Sequence, residues 1–265
     1  MANLYFPQLS SGAMAQYPIT KMRLARTIKN VMPDGRMILS ADPAGARLVW
    51  QLAYTELSTS DMDALAGHFA ACAGPFRAFT FIDPTENMLA SSSELAAPAW
   101  QISGQIQVSG GLADPQGGTA AFTLANTGQT SQEISQILAV PANYQYCFSA
   151  YVSSAEPSEI ELVRRGSSAT DSQVFTAGPS WKRIVSSGRL NDPGTSFSVA
   201  ISLLPGQQIG IYGVQLEAQI APSRYRPTSQ IGGVFANAHW GVEELPITAD
   251  GPNLFSTSFT IETAI

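Results

Sequence analysis

The chain holds two histidines and two cysteines, and these bound any nucleophilic or metal chemistry. His68 and Cys72 stand four apart in a stretch of helical spacing, so they share a helix face and superficially offer a thiol beside a base. Met62, Leu65, Ala66 and Phe69 recur on that same side. A helix needs its apolar stripe for the core, so the pair reads as packing. His239 stands beside Trp240 in a glycine-rich stretch with no partner fixed by spacing, and reads as a surface or interface residue. The ligand spacings CxxC and HExxH, the EF-hand loop, the phosphate loops GxGxxG and GxxxxGK and the nucleophile elbow GxSxG are all missing. Glu159 and Glu161 share one face of a strand and read as solvated, whereas glycoside hydrolysis needs carboxylates that flank the bond. No enzyme activity and no cofactor are expected.

Sugar binding needs less: exposed rings that stack, and planar polar groups beside them. Trp181, Tyr144 and Tyr212 are the candidate glycan-binding residues, with Lys182 and Arg183 directly after Trp181. Asp114 and Glu217 are the two carboxylates that could serve a structural calcium; no other metal site is expected.

Charged residues make up only 13% of the 265, against a usual quarter, and Ser, Thr, Gln, Asn and Gly take their place. Such a surface suits β-rich proteins and assembled shells. Net charge is −6, so no pull toward nucleic acid is expected. The charge is uneven, however. Residues 1–50 hold Lys21, Arg23, Arg26, Lys29, Arg36 and Arg47 against Asp34 and Asp42, a net +4, which leaves −10 for the rest. The segment 229–265 has four acids and no Lys or Arg, so it could receive the basic segment of a neighbouring copy. Cys72 and Cys147 read as buried free thiols, which fits a reducing compartment. Residues 1–17 lack a basic start followed by an apolar run, so no leader is expected, and no apolar stretch is long enough to insert into a membrane.

The elements are legible from spacing. Residues 1–29 read as an extended arm leading into a strand, with turns at 32–36 and 41–45, where Pro presets φ and Gly supplies the left-handed position. Residues 47–55 alternate strictly, placing Trp50 and Leu52 on one side. Ser58 or Ser60 caps a helix at about 59–73 that Gly74-Pro75 ends, and 76–81 reads as a strand with three aromatics on one face. Residues 90–93 read as a linker. Eight strand signals follow between 91 and 228, at 102–108, 119–124, 135–140, 144–152, 160–164, 182–186, 197–203 and 208–216. Eight short strands with Gly and Pro punctuation predict a jelly roll. Residues 255–261 alternate again, so 229–265 is expected to return to the first domain, or to form an arm that pairs with a neighbour. The fold expected is mainly β: a small barrel or sandwich with one helix (1–90, completed by 229–265) and an inserted jelly-roll sandwich (91–228).

Two phrases carry resemblances. The order LS..DM..L..HF....GPFRAFTFIDP within 57–87 resembles the N-terminal domain of distal tail and related minor tail proteins of long-tailed phages. The phrases YQYCFSAYVSS, GPSWKRIVSSG and IGIYGVQLEAQIAPSRYRPT resemble the carbohydrate-binding-module type of jelly roll found in phage tail and fibre proteins. The first resemblance implies a structural component of the virion tail tip, assembled in the bacterial cytoplasm. Its subunits form a ring, a hexamer by family expectation, that joins the tail tube to the tail hub and baseplate. The second implies an outward jelly roll that contacts host surface polysaccharide. The alternative is a glycan-binding adhesin without a ring. Tyr5, Phe6, Phe235 and Trp240 are the candidate interface anchors, because aromatics dominate such contacts.

Overall fold

The computed structural model describes residues 4–265. It is mainly β with a single α-helix and divides into two compact units, Met1–Ile82 with Phe235–Ile265, and Asp83–Val234.

The first unit opens with β1 (Thr20–Val31), β2 (Met37–Leu57), α1 (Thr59–Cys72) and β3 (Phe79–Ile82). Ser58 caps α1 by accepting the Asp61 N–H, and Ala73 ends it in the left-handed conformation. The chain then needs residues 73–77 to turn, with Arg77 N–H donating to Cys72 O. Phe76 is therefore spent on the turn and lies 79% exposed, and the strand expected at 76–81 begins only at Phe79. Residues 41–45, expected as a turn, lie inside β2. There Ala25 alone faces Pro43–Ala46 between the pairs Leu24↔Arg47 and Arg26↔Asp42, a bulge that accommodates a proline with no N–H to give the ladder.

The second unit is a jelly-roll β-sandwich of ten strands: β4 (Gln101–Ile102), β5 (Ile106–Leu112), β6 (Ala121–Asn126), β7 (Gln132–Leu138), β8 (Tyr146–Ser153), β9 (Ser158–Arg165), β10 (Thr170–Ala177), β11 (Lys182–Gly188), β12 (Phe197–Leu203) and β13 (Gln208–Glu217). One sheet runs β10-β9-β12-β7-β4, the other β11-β8-β13-β6-β5. Tyr146, Phe148, Leu162, Phe197, Ile201 and Ile211 are among the side chains buried in this unit. The polar run 90–93 is no linker: Ser92 N–H donates to Thr228 Oγ1 at 3.0 Å, and Thr228 N–H returns a bond to Ser92 Oγ at 3.0 Å.

The chain re-enters the first unit with β14 (Val234–Trp240), β15 (Thr248–Gly251) and β16 (Leu254–Ala264). The sheet runs β1-β2-β16-β14-β3, with β15 beside β16. Residues 229–265 thus supply a central strand, β16, which pairs β2 from Phe255↔Leu57 to Ala264↔Arg47.

Two of the four expected interface anchors belong to this core. Trp240 is fully buried, 4.5 Å from the Phe259 ring and 5.8 Å from Phe6. Phe6 is 1% exposed and packs on Phe79, Phe81 and His68. A surface anchor must be accessible, so neither serves as one. The arm that carries Phe6 does not reach for a neighbour: Tyr5 bridges Thr80, Phe6 N–H donates to Thr80 O, and Leu9, Met14 and Ala15 are buried. Phe235 is half-buried 5.1 Å from Trp50, and Tyr5 is half-buried beside β3.

Candidate glycan-binding face

The candidate site lies on the β11-β8-β13-β6-β5 sheet of the second unit. Successive side chains of a strand point to opposite faces. Ile209 and Ile211 of β13 go into the core, so Gly210 and Tyr212 face the other way. The register then aligns two rows on that face. Thr123, Gly210 and Ser153 form one; Tyr212, Tyr151 and Arg183 form the next.

Glycine at 210 is what lets the first row close. A Cβ there would lie 2.7 Å from Ser153 Oγ, 2.8 Å from Leu112 Cδ2 and 3.1 Å from Trp181 Cη2. The half-exposed indole of Trp181 therefore reaches over the bare backbone of Gly210. Beside it lies a groove of about 600 Å³ whose lining includes Thr123, Ser153, Glu156, Gln207, Gln208 and Gly210. In the second row the Arg183 guanidinium sits 5.3 Å from the Tyr151 ring centre and is held by Ser149 Oγ at 2.9 Å and Ser223 O at 2.5 Å. Tyr212 lies 6.0 Å from Tyr151 and 5.2 Å from Tyr225. Burial, then Asp114, raises the Tyr212 phenol, and burial pushes Tyr225 up to about 12. Both therefore stay neutral hydroxyls that donate and accept at ordinary pH.

The face thus offers rings, hydroxyls and amides beside a groove with a single carboxylate, Glu156. Chemically it can stack on and hydrogen-bond a polyhydroxylated chain. Trp181, expected from sequence, belongs to it as a half-exposed ring; Tyr212, also expected, lies on the same side but is buried at 9% exposure, so it packs Tyr151 and Tyr225 and offers no open ring for stacking. Tyr144 does not belong to it: it precedes the Tyr146 end of β8, 6.5 Å from the Tyr146 ring, whereas Gly210 is paired with Ser153 at the other end. Tyr151 and Tyr225 are among the rings the sequence offers and Arg183 follows Trp181, but their place beside Trp181, and the role of Gly210, depend on cross-strand register, which is not written in any one strand.

Asp114 and Glu217 are occupied by their own loops. Asp114 accepts the N–H groups of Gln116, Gly118 and Ala120, and Glu217 accepts from the Ser223 N–H and hydroxyl and from Gln219. Among the described residues no group of three or more His, Cys, Asp or Glu is placed to hold a metal. Glu159 and Glu161 lie on β9 of the other sheet, beside Val174, Ser202 and Leu204.

The phrase 208–228 acquires a mechanical meaning. Gly213 adopts φ +64°, and a Cβ on it would stand 3.2 Å from Tyr225 Cγ and from Tyr151 Cδ2. Gln215 Oε1 accepts the Arg226 N–H at 2.8 Å, and Thr228 Oγ1 donates to Leu89 O at 2.6 Å. Gly213 and Gln215 hold the returning segment against β13, and Thr228 ties it to the segment at Leu89 and Ser92.

The Cys–His pair sits in the first unit. Trp240 Nε1–H donates to His68 Nδ1 at 3.2 Å, and Cys72 Sγ lies 3.7 Å from Nε2. Burial lowers His68 to about 4 and raises Cys72. At neutral pH the pair is a thiol beside a neutral imidazole and holds no thiolate nucleophile.

No family model matches the sequence, and no curated protein matches it. Solved structures do align with it. The enzymatically active domain of bacteriophage CBA120 tailspike protein 4 aligns over 52% of this chain and 22% of its own, at 10% identity and a TM-score of 0.42. The C-terminal family 22 carbohydrate-binding module of Clostridium thermocellum Xyn10B aligns over 53% of this chain and 99% of its own, at 17% identity and a TM-score of 0.42. A family 61 module, TmCBM61, solved with β-1,4-galactotriose, aligns over 49% and 97%, at 17% identity and a TM-score of 0.36. No helix of the described chain is long and apolar enough to cross a membrane.

Proposed function

We propose that this chain is a non-catalytic structural subunit of a phage or phage-derived tail tip, of the distal tail kind. Copies assemble into a ring, hexameric by family expectation, between the tail tube and the hub or baseplate. Its place is the virion tail tip. The observation that carries this reading is the β1–β2 hairpin. Every residue from 23 to 41 is exposed, yet Leu24, Ile28, Val31, Met32, Met37, Ile38 and Leu39 lie on it. A run of apolar side chains that its own unit leaves bare marks a surface built to be covered. The tail phrase within 57–87 supplies the biological context. Light scattering on a sizing column, followed by negative-stain microscopy, tests the assembly. Rings support it, and a chain that stays monomeric at every concentration counters it.

The second reading is a glycan-binding adhesin, favoured by the half-exposed Trp181 over Gly210 beside the groove. Neutral polysaccharide from the host surface is its ligand class. Trp181→Ala removes one stacking ring, worth roughly tenfold in Kd by the area such a ring buries. Titration of host polysaccharide into both proteins, with urea melts alongside, measures it. Equal affinity for the two proteins would eliminate Trp181 from any glycan site.

A further inference from the structure

The geometry points to a specific contact that deepens, and rests on, the ring reading: the free half of the β1–β2 hairpin of one copy docks on the acidic segment 243–250 of a second copy. The hairpin is apolar on both of its faces. The register places Ile28 and Ile38 on one face, and Val31, Met37 and Leu39 on the other. Their exposures run from 45% to 69%. A ribbon meant to lie on one surface needs only one apolar face. This one is made to be gripped from two sides, as an isolated two-stranded ribbon is marginal in water.

The charges identify the occupant. Arg26, Arg36 and Arg47 are spent within the chain on Asp42, Asp34 and Glu262. Lys29 forms no salt bridge among the described residues and lies on the Val31 and Leu39 face of the free half. Glu243, Glu244 and Asp250 are exposed and likewise form none. They sit in a 37-residue segment without a single Lys or Arg. The hairpin keeps an uncommitted positive charge and the segment 243–250 keeps uncommitted negative ones.

One chain cannot join its own two surfaces. The hairpin turns at the Met37 end of β2, while β15 pairs β16 beside Phe255, opposite Leu57 at the far end of the same strand, and Glu243 and Glu244 follow Trp240, whose partner Ile261 lies opposite Trp50. The separations from Leu39 are on the order of 30 to 50 Å at the rise of an extended strand. Complementary surfaces at separate places on one chain make a heterologous, head-to-tail contact. Repetition closes such a contact into a ring where the rotation permits and otherwise runs on as a filament.

Two charge-reversal variants of the full chain test it: Lys29→Glu, and Glu243→Lys with Glu244→Lys and Asp250→Lys. All four side chains are exposed, and circular dichroism confirms that each variant folds. Each alone faces like charge against like and should weaken self-association roughly 100-fold or more. Mixed in equal amounts, the two should reassemble in alternation, because each hairpin then meets the opposite charge. Light scattering reads all three samples. Variants that assemble as the parent does, or a mixture that fails to recover, overturn this contact and leave the ring reading standing. A parent chain that never assembles overturns both.

Discussion

His68 shows what one buried residue imposes on the molecule. Desolvation holds its native pKa at about 4, well below the usual 6.5 of a solvated histidine. Below pH 6.5 the unfolded chain takes up a proton that the native imidazole refuses, so stability falls from pH 6.5 to pH 4 and then levels. The loss reaches up to ~3 kcal/mol. Asp114, held low by the Ala120 N–H, and Asp192, held low by the Ser168 N–H, act in a separate window, losing their contribution only as pH falls below the ordinary 3.8. His68→Gln keeps an acceptor for the Trp240 N–H but cannot titrate. Urea midpoints at pH 7.5 and pH 5 should differ for the parent and nearly coincide for the variant; an unchanged pH dependence in the variant would remove His68 as its source. Gly213 makes a second point at this scale. Its φ of +64° strains any side chain, and a Cβ there would press on the Tyr225 and Tyr151 rings at 3.2 Å. Gly213→Ala should therefore cost about 2 kcal/mol, read as a lower urea midpoint at constant slope.

At the scale of elements the hairpin stands apart. Residues 27–41 are exposed throughout, so replacing them with a tight Asn-Gly turn between the paired Arg26 and Asp42 should leave the thermal midpoint nearly unchanged while abolishing self-association. A large fall in the midpoint would mean that the ribbon supports its own unit instead. Elements that are local in sequence were legible there. The Ser58 cap, the helix and the turn at 32–36 each depend on a few adjacent residues, and the Met32 N–H to Arg36 O bond closes that turn at 2.7 Å. Elements that depend on distant partners were not. The arm reads as extended and free, because nothing near Phe6 or Met14 in sequence tells of the cavity that they fill. Strand β10 escaped notice because its segment TDSQVFTA is mostly polar and lies at a sheet edge, where alternation is not enforced. The serines at 91–93 look like a linker because satisfied and solvated hydroxyls read alike in a sequence. The candidate face was half legible for the same reason: Trp181 and Tyr212 stand out as rings, but only the ladder brings Tyr151 and Arg183 beside them and leaves Tyr144 away.

For the whole molecule, two units divide the labour. One carries a long bare ribbon and an acidic segment; the other carries a face of rings and hydroxyls beside a groove. Low charge density and a basic segment set against an acidic remainder suit a protein whose function is to be built into something larger. The most direct test is the mass of the full chain in solution by light scattering across a range of concentrations. A mass several times 28.1 kDa, with closed rings in negative stain, is the predicted result. A mass of one chain at every concentration would contradict the account.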